Sequence, residues 1–271
     1  MKPQILLLQK IRSVGLKVQP LTVRSSEGNS PVSDLFIWKK DKDWKTYFRL
    51  VNQEKIVTGP RISSKVRHAS FIYFSNDGIE IKRIVHAIPE KHSKLISVTE
   101  DIADYPGTFG TFCVIHSCSP KDLTDIDCQL TERGYVGYSF RDSKLLSYAH
   151  GNLDAVAMRK DGTIEMLGGA SILRREYRLQ YSINPREENL LAFVNPCKKD
   201  IRLDISLLNN YNEKKPDQNF GICLPSRGSA ELPLNLNSMD CEYSIRIKSR
   251  LCMARPVLFT YRGTSFNVFH G

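Results

Sequence analysis

No apolar run in this sequence approaches the roughly 18 residues that a membrane-spanning helix needs. The opening Met1-Lys2-Pro3-Gln4-Ile5-Leu6-Leu7-Leu8-Gln9-Lys10 holds a four-residue apolar stretch, broken by Gln9, Lys10 and Arg12. A secretory leader needs about 7–15. The segment is expected to form a first strand or short helix of the fold, in a cytoplasmic protein. An even cysteine framework is also lacking: seven cysteines stand at 113, 118, 128, 197, 223, 241 and 252, and Cys113 and Cys118 have no second close pair to complete a four-thiolate zinc site. Reduced thiols, mostly buried as small hydrophobes, follow. Helical periodicity is almost absent after residue 20, and the nucleic-acid signatures of zinc-finger, RNA-recognition, KH and helix-turn-helix modules are missing.

The charge is uneven. Residues 1–100 hold 18 Lys and Arg against 9 Asp and Glu, a net +9, whereas residues 101–271 hold 21 against 20. Such a basic first third either attracts an anionic partner or is simply a solvated surface. Its charges are dispersed, so a dedicated nucleic-acid binder is not favoured, and a polyanion site over residues 39–94 stands as a third option.

What the sequence has in quantity is strand signal. Short alternating or apolar runs bounded by Gly, Pro, Asn and Asp recur at roughly 8–12-residue spacing, the pattern of a sandwich or barrel. Arg159-Lys160-Asp161-Gly162-Thr163 reads as a hairpin turn, because Asp-Gly accepts positive φ angles. An approximate repeat links Ser70–Asn76, Ile79–Val85 and Gly110–His116 to Leu190–Pro196, Asp200–Ser206, Tyr243–Lys248 and Ala254–Phe259. In each copy an apolar strand ends in Asn, which caps a turn, and an alternating strand follows.

The expected fold is all-β, with two tandem β-sandwich units of jelly-roll or Ig-like type: residues 1–130 form a basic first unit, 131–180 connecting hairpins, and 181–271 a second unit. Within the second, Phe193-Val194-Asn195-Pro196, Ile201–Leu207, Leu224-Pro225-Ser226-Arg227-Gly228-Ser229-Ala230-Glu231-Leu232-Pro233-Leu234, Ile245–Ser249 and Arg255-Pro256-Val257 follow in order. Residues 190–262 thereby resemble the small β-sandwich of sensory rhodopsin transducer proteins. The resemblance implies a sandwich that binds partners and forms oligomers, and carries over no functional residue.

Four constellations could carry chemistry. His150, Asn152 and Asp154 are two apart and share one strand face, suited to a divalent metal or to sugar hydroxyls. His150 and Asp154 would be about 13 Å apart, too far for a direct acid–base pair. Arg133-Gly134-Tyr135-Val136-Gly137-Tyr138 could form a shallow aromatic surface for a sugar or planar group, or be a strand whose glycines admit a close neighbour. Trp38 and Trp44 bracket a charged turn, and could stack on a ligand or anchor a core. His116 lies near Cys113 and Cys118, but alternation sends Cys113 and His116 to opposite faces.

The reading is a non-enzymatic binding or assembly protein for a glycan or other anionic ligand, without cofactor, that forms a homo-oligomer or has a protein partner. Its ligand residues would be Arg133, Tyr135, Tyr138, His150, Asn152, Asp154, Trp38 and Trp44. The alternative is a metal-assisted hydrolase or sugar-modifying enzyme holding one divalent ion at His116, His150 and Asp154.

Overall fold

Period-two alternation turns directly into sheets. The structure, a computed structural model, describes residues 32–52, 68–89, 93–116, 131–132, 134–209, 216–236, 241–251 and 256–270. The expected N-terminal strand or helix, the connection at 117–130, Arg133 and residues 210–215 of the polar loop lie outside these. Nearly all described secondary structure is β. Among the described residues the one helix, α1 (Val98–Asp101), is a single turn capped by Ser97, and no helix is long and apolar enough to cross a membrane.

Four sheets result, nearly all of their pairings antiparallel. The largest contains β1 (Val32–Lys39), β3 (His68–Ser75), β4 (Glu80–Ala87), β6 (Phe109–His116), β10 (Asn152–Met158) and β11 (Ile164–Met166), in the order β11-β10-β1-β6-β3-β4, with β7 (Thr131–Glu132) parallel to β1. A second joins β2 (Trp44–Val51), β5 (Ser93–Ser97), β8 (Tyr135–Phe140) and β9 (Ser147–His150) in the order β5-β2-β8-β9. A third, β12-β17-β14-β15, is built from β12 (Ala170–Arg178), β14 (Ile201–Asn209), β15 (Gln218–Leu224) and β17 (Tyr243–Leu251). The fourth, β16-β13-β18-β19, holds β13 (Glu188–Val194), β16 (Ser229–Leu234), β18 (Val257–Arg262) and β19 (Ser265–His270). Together they form a propeller-like, four-bladed arrangement, although no sheet is a sequential meander. Residues 134–166 enter the same sheets as β1 and β2, and β12 joins the sheet of β17.

Among the described residues two large cores form, beside a small cluster of Val32, Ala157 and Leu167. In the first, the Phe48 ring of β2 meets Phe36 of β1, Phe71 of β3 and Phe112 of β6 at centroid distances of 5.1, 5.4 and 5.8 Å. In the second, Leu203, Ile205 and Leu207 of β14 and Tyr243, Ile245 and Ile247 of β17 share a cluster with Leu191, Phe193 and Leu258 of the fourth sheet. That sheet faces both cores. Leu191 and Phe193 point into the second, while Ala192 and Val194, one residue out of phase, join the first together with Val257, Phe259 and Val268. The alternation expected to set a buried face against water instead sets one core against another.

The Asp-Gly turn expected at 159–163 joins β10 to β11, with Gly162 at φ 81° and Asp161 Oδ1 accepting from Thr163 N at 2.9 Å. The two copies of the sequence repeat, by contrast, are connected differently. After Asn76 the chain folds straight back, pairing β3 with β4. After Asn195 it crosses into another sheet, because β13 pairs with β16 and β18 and β14 pairs with β15 and β17. The difference lies in the two asparagines. Asn195 is fully buried and its amide donates to Lys199 O and Leu224 O, pinning the crossing loop, whereas the Asn76 amide reaches only to the adjacent Asp77 carboxylate.

Candidate functional site: an aromatic and basic sheet face

The face of β5-β2-β8-β9 turned away from the core gathers three tyrosines and a histidine. On β2, Trp44, Thr46, Phe48 and Leu50 are buried, so Lys45, Tyr47, Arg49 and Val51 point outward. Register sets Tyr47 opposite Gly137, Gly137 opposite Tyr148, and Tyr135 opposite His150. Tyr135 is 49% exposed, and its ring lies 4.1 Å from the His150 imidazole, which in turn lies 5.0 Å from that of His270 on β19.

Gly137 explains how the face stays flat. A Cβ there would lie 2.9 Å from the Tyr148 ring, so the absent side chain lets that ring cross β8 toward β2. Arg49 meets it from the other side: its guanidinium sits 5.7 Å from the Tyr148 ring centre, Nη2 donates to the Tyr148 hydroxyl at 3.2 Å, and Nη1 to Ser93 Oγ at 3.2 Å. The result is a shallow surface of three tyrosines, an imidazole and a positioned arginine. Such a surface can stack on the apolar face of a sugar ring and donate hydrogen bonds to its oxygens or to an acid group.

Of the residues singled out from sequence, Tyr135 and His150 are thus brought together on β8 and β9. Tyr138 does not belong to the face: it is fully buried and donates to Ile37 O at 2.9 Å. The two tryptophans also leave the candidate set, because both are core anchors. Trp38 is fully buried and donates Nε1 to Phe74 O at 3.0 Å, and Trp44, 3% exposed, sits among Phe140, Phe259, Tyr261 and Phe266. Arg133 lies outside the described residues, as do the side chains of Asn152 and Asp154. His116 is buried on β6. Among the described residues no group of three His, Cys, Asp or Glu side chains could hold a metal ion. Tyr47, Arg49 and Tyr148 escaped the sequence reading, although the alternation of Lys45, Tyr47 and Arg49 was a usable signal.

Two further polar clusters act as ties. His86 Nε2 lies 2.7 Å from Asp101 Oδ2, which also accepts from the Tyr73 hydroxyl at 2.5 Å, so that α1 is clamped onto β3 and β4. Lys39 on β1 reaches Glu231 on β16 at 2.9 Å and Asp41 at 3.0 Å, joining the two halves of the chain. Burial pushes the Glu231 carboxyl above the usual carboxylate range, and Lys39 opposes the rise. Of the four cysteines described, Cys113, Cys197 and Cys241 are buried and Cys223 is exposed. Burial raises the Cys113 thiol far above its ordinary value, which makes it unreactive.

No protein-family model, curated protein or solved structure matches the chain.

Proposed function

We propose that this protein is a non-enzymatic binding protein that takes a carbohydrate on the outer face of β5-β2-β8-β9. The observation that carries the reading is the Tyr148 ring laid over Gly137 with Arg49 fixed beside it, next to the Tyr135–His150 pair. Aromatic rings already held in place receive a sugar ring at low entropic cost, and Arg49 favours a sugar bearing a carboxylate, sulfate or phosphate. We also read the two cores as two sandwich units in tandem, a reading supported by the second core lying between the third and fourth sheets and the first lying chiefly between the first and second, with the fourth sheet lending its other face. The middle sheet then makes the pair a rigid scaffold for the face.

A glycan array containing neutral and acidic sugars tests the proposal. Acidic glycans should be retained, and in titration calorimetry Tyr135→Ala and Tyr148→Ala should each weaken the best binder by about tenfold, near 1.4 kcal/mol. Retention of no glycan, or an affinity in both variants unchanged from that of the unsubstituted protein, would overturn it.

A further inference from the structure

The third sheet has a face that the carbohydrate reading does not use. On β14 and β17, Leu203, Ile205, Leu207, Tyr243, Ile245 and Ile247 fill the second core, so the intervening residues point outward. Register then arranges the outward side chains in rows across the sheet. One row runs Arg178, Arg246, Ser206, Asn219, and the next runs Glu176, Lys248, Asp204, Gly221. The third holds Arg250 and Arg202, one residue beyond the Leu203–Ser249 pair, with Arg202 opposite Cys223, and Arg174 closes it from β12 by reaching Asp204. With strands about 4.8 Å apart and outward residues about 6.8 Å apart along each strand, the patch is roughly 14 Å square. Six cations and two carboxylates stand on it.

The carboxylates organise the cations and leave them in large excess. Asp204 holds Arg174 and also Arg202, at 3.1 Å from Nε, and Glu176 approaches Arg246 Nε at 3.8 Å. Arg174 keeps its carboxyl partner below the usual aspartate range, so Asp204 stays ionised and the guanidiniums stay ordered. The side chain of Arg202 remains 75% exposed. It extends over Gly221, where a Cβ would lie 3.4 Å from its guanidinium. The solvent-reaching outward residues of β14, β15 and β17 in these rows include no aromatic and no aliphatic side chain: they are Arg202, Asp204, Ser206, Asn219, Gly221, Cys223, Arg246, Lys248 and Arg250, whereas Leu208, opposite Ser244 beyond the first row, is fully buried. There is nothing here to stack on a base or sugar, and nothing on these strands to insert into lipid.

We infer that this Arg-rich face binds the phosphate backbone of double-stranded nucleic acid without reading its sequence. Five of its six cations are arginines, whose planar guanidinium takes two oxygens of one phosphate, and the sheet register holds them in rows close enough for one duplex backbone to meet several at once. Composition alone hid the face, because residues 101–271 are nearly neutral in sum.

The experiment is fluorescence anisotropy of the full chain with a labelled random-sequence duplex of about 20 base pairs, from about 50 to 200 mM salt. Saturable binding is expected, with log affinity falling by about 0.9 per phosphate engaged for each decade of salt. The triple variant Arg202→Gln, Arg246→Gln, Arg250→Gln should lose at least about tenfold in affinity and have a shallower salt dependence. Lys45→Gln with Lys94→Gln, which removes charge elsewhere, should not. Tyr135→Ala with Tyr148→Ala should leave duplex affinity intact, which separates this inference from the carbohydrate reading. Cys223 supplies a readout on the unmodified protein: bound duplex should slow its maleimide labelling several-fold, with Cys223→Ser identifying the signal. Absence of duplex binding, an undiminished affinity in the triple variant, an unchanged Cys223 rate, or capture only by phosphatidylserine vesicles would each overturn the inference. The last outcome would assign the face to a lipid surface, with the exposed Leu173 at its border.

Discussion

Lys39 carries an ammonium group to a place that water barely reaches. Its side chain is 6% exposed, and Glu231, its partner across the molecule, is 15% exposed. Removing the cation strands a buried carboxylate, whereas removing the carboxylate leaves Lys39 with Asp41. Lys39→Met should therefore cost about 3 kcal/mol near neutral pH, and Glu231→Gln about 1 kcal/mol. The pH dependence has a definite sign. Glu231 holds its proton more tightly in the folded chain than the ordinary value of 4.5. Its contribution to stability is complete below that value and is lost as pH rises through the folded one. The deficit of Lys39→Met should shrink on acidification toward pH 4, and Glu231→Gln should flatten the dependence. Urea denaturation at pH 4 and 7 measures both. Equal deficits for the two variants, or a Lys39→Met deficit independent of pH, would refute the account.

At the scale of the element, two turns with the same backbone conformation behave differently because of what lies beside them. Gly78 (φ 76°) ends the β3–β4 hairpin, and a Cβ there would fall 2.0 Å from Ser226 O in the turn between β15 and β16. Gly162 (φ 81°) has nothing nearer than Arg83 Nη1 at 4.0 Å. Alanine at Gly162 should cost about 1 kcal/mol, the penalty of the left-handed region alone. Alanine at Gly78 must also push the two turns' backbones apart, and should cost about 3 kcal/mol or more. Thermal melts that shift equally for the two variants would show that the second turn does not confine the first. Around this junction Thr111 Oγ1 donates to Arg227 O at 2.6 Å and Ser229 N to Asn76 O at 2.9 Å. Arg227 is itself held at φ 63°, an uncommon conformation for a side-chain-bearing residue.

The whole molecule is coupled through the sheet β16-β13-β18-β19. Its strands carry Ala192 and Phe259 into the first core and Phe193 and Leu258 into the second, so neither core can open without uncovering the other. The chain's two tryptophans, Trp38 and Trp44, both lie in the first core. Truncating Phe193 in the second core should nevertheless move the tryptophan-fluorescence transition, by about 3–5 kcal/mol, together with the far-ultraviolet dichroism transition. Two separated transitions, or a fluorescence midpoint that does not move, would mean that the halves unfold independently.

Much of the β character was legible in local signals: period-two runs, Asp161-Gly162 at a turn and Asn195 at a strand end. These are set by backbone sterics and by the side chain's own hydrogen bonds. Partnership was not legible. Strand β1 is buried along all eight residues because it lies inside a sheet covered on both sides, and β13 alternates between two cores. The sequence by itself determined that this chain folds as strands and turns, with aromatic residues clustered near 135–150 and its basic excess in the first third. Only the tertiary structure decided that Trp38, Trp44 and Tyr138 are core, that Tyr47, Arg49 and Tyr148 join Tyr135 and His150 on one face, and that arginines far apart in the chain form a basic grid. The reason is physical: alternation specifies that a strand has two faces, whereas what covers each face is set by register and sheet packing over long sequence separations.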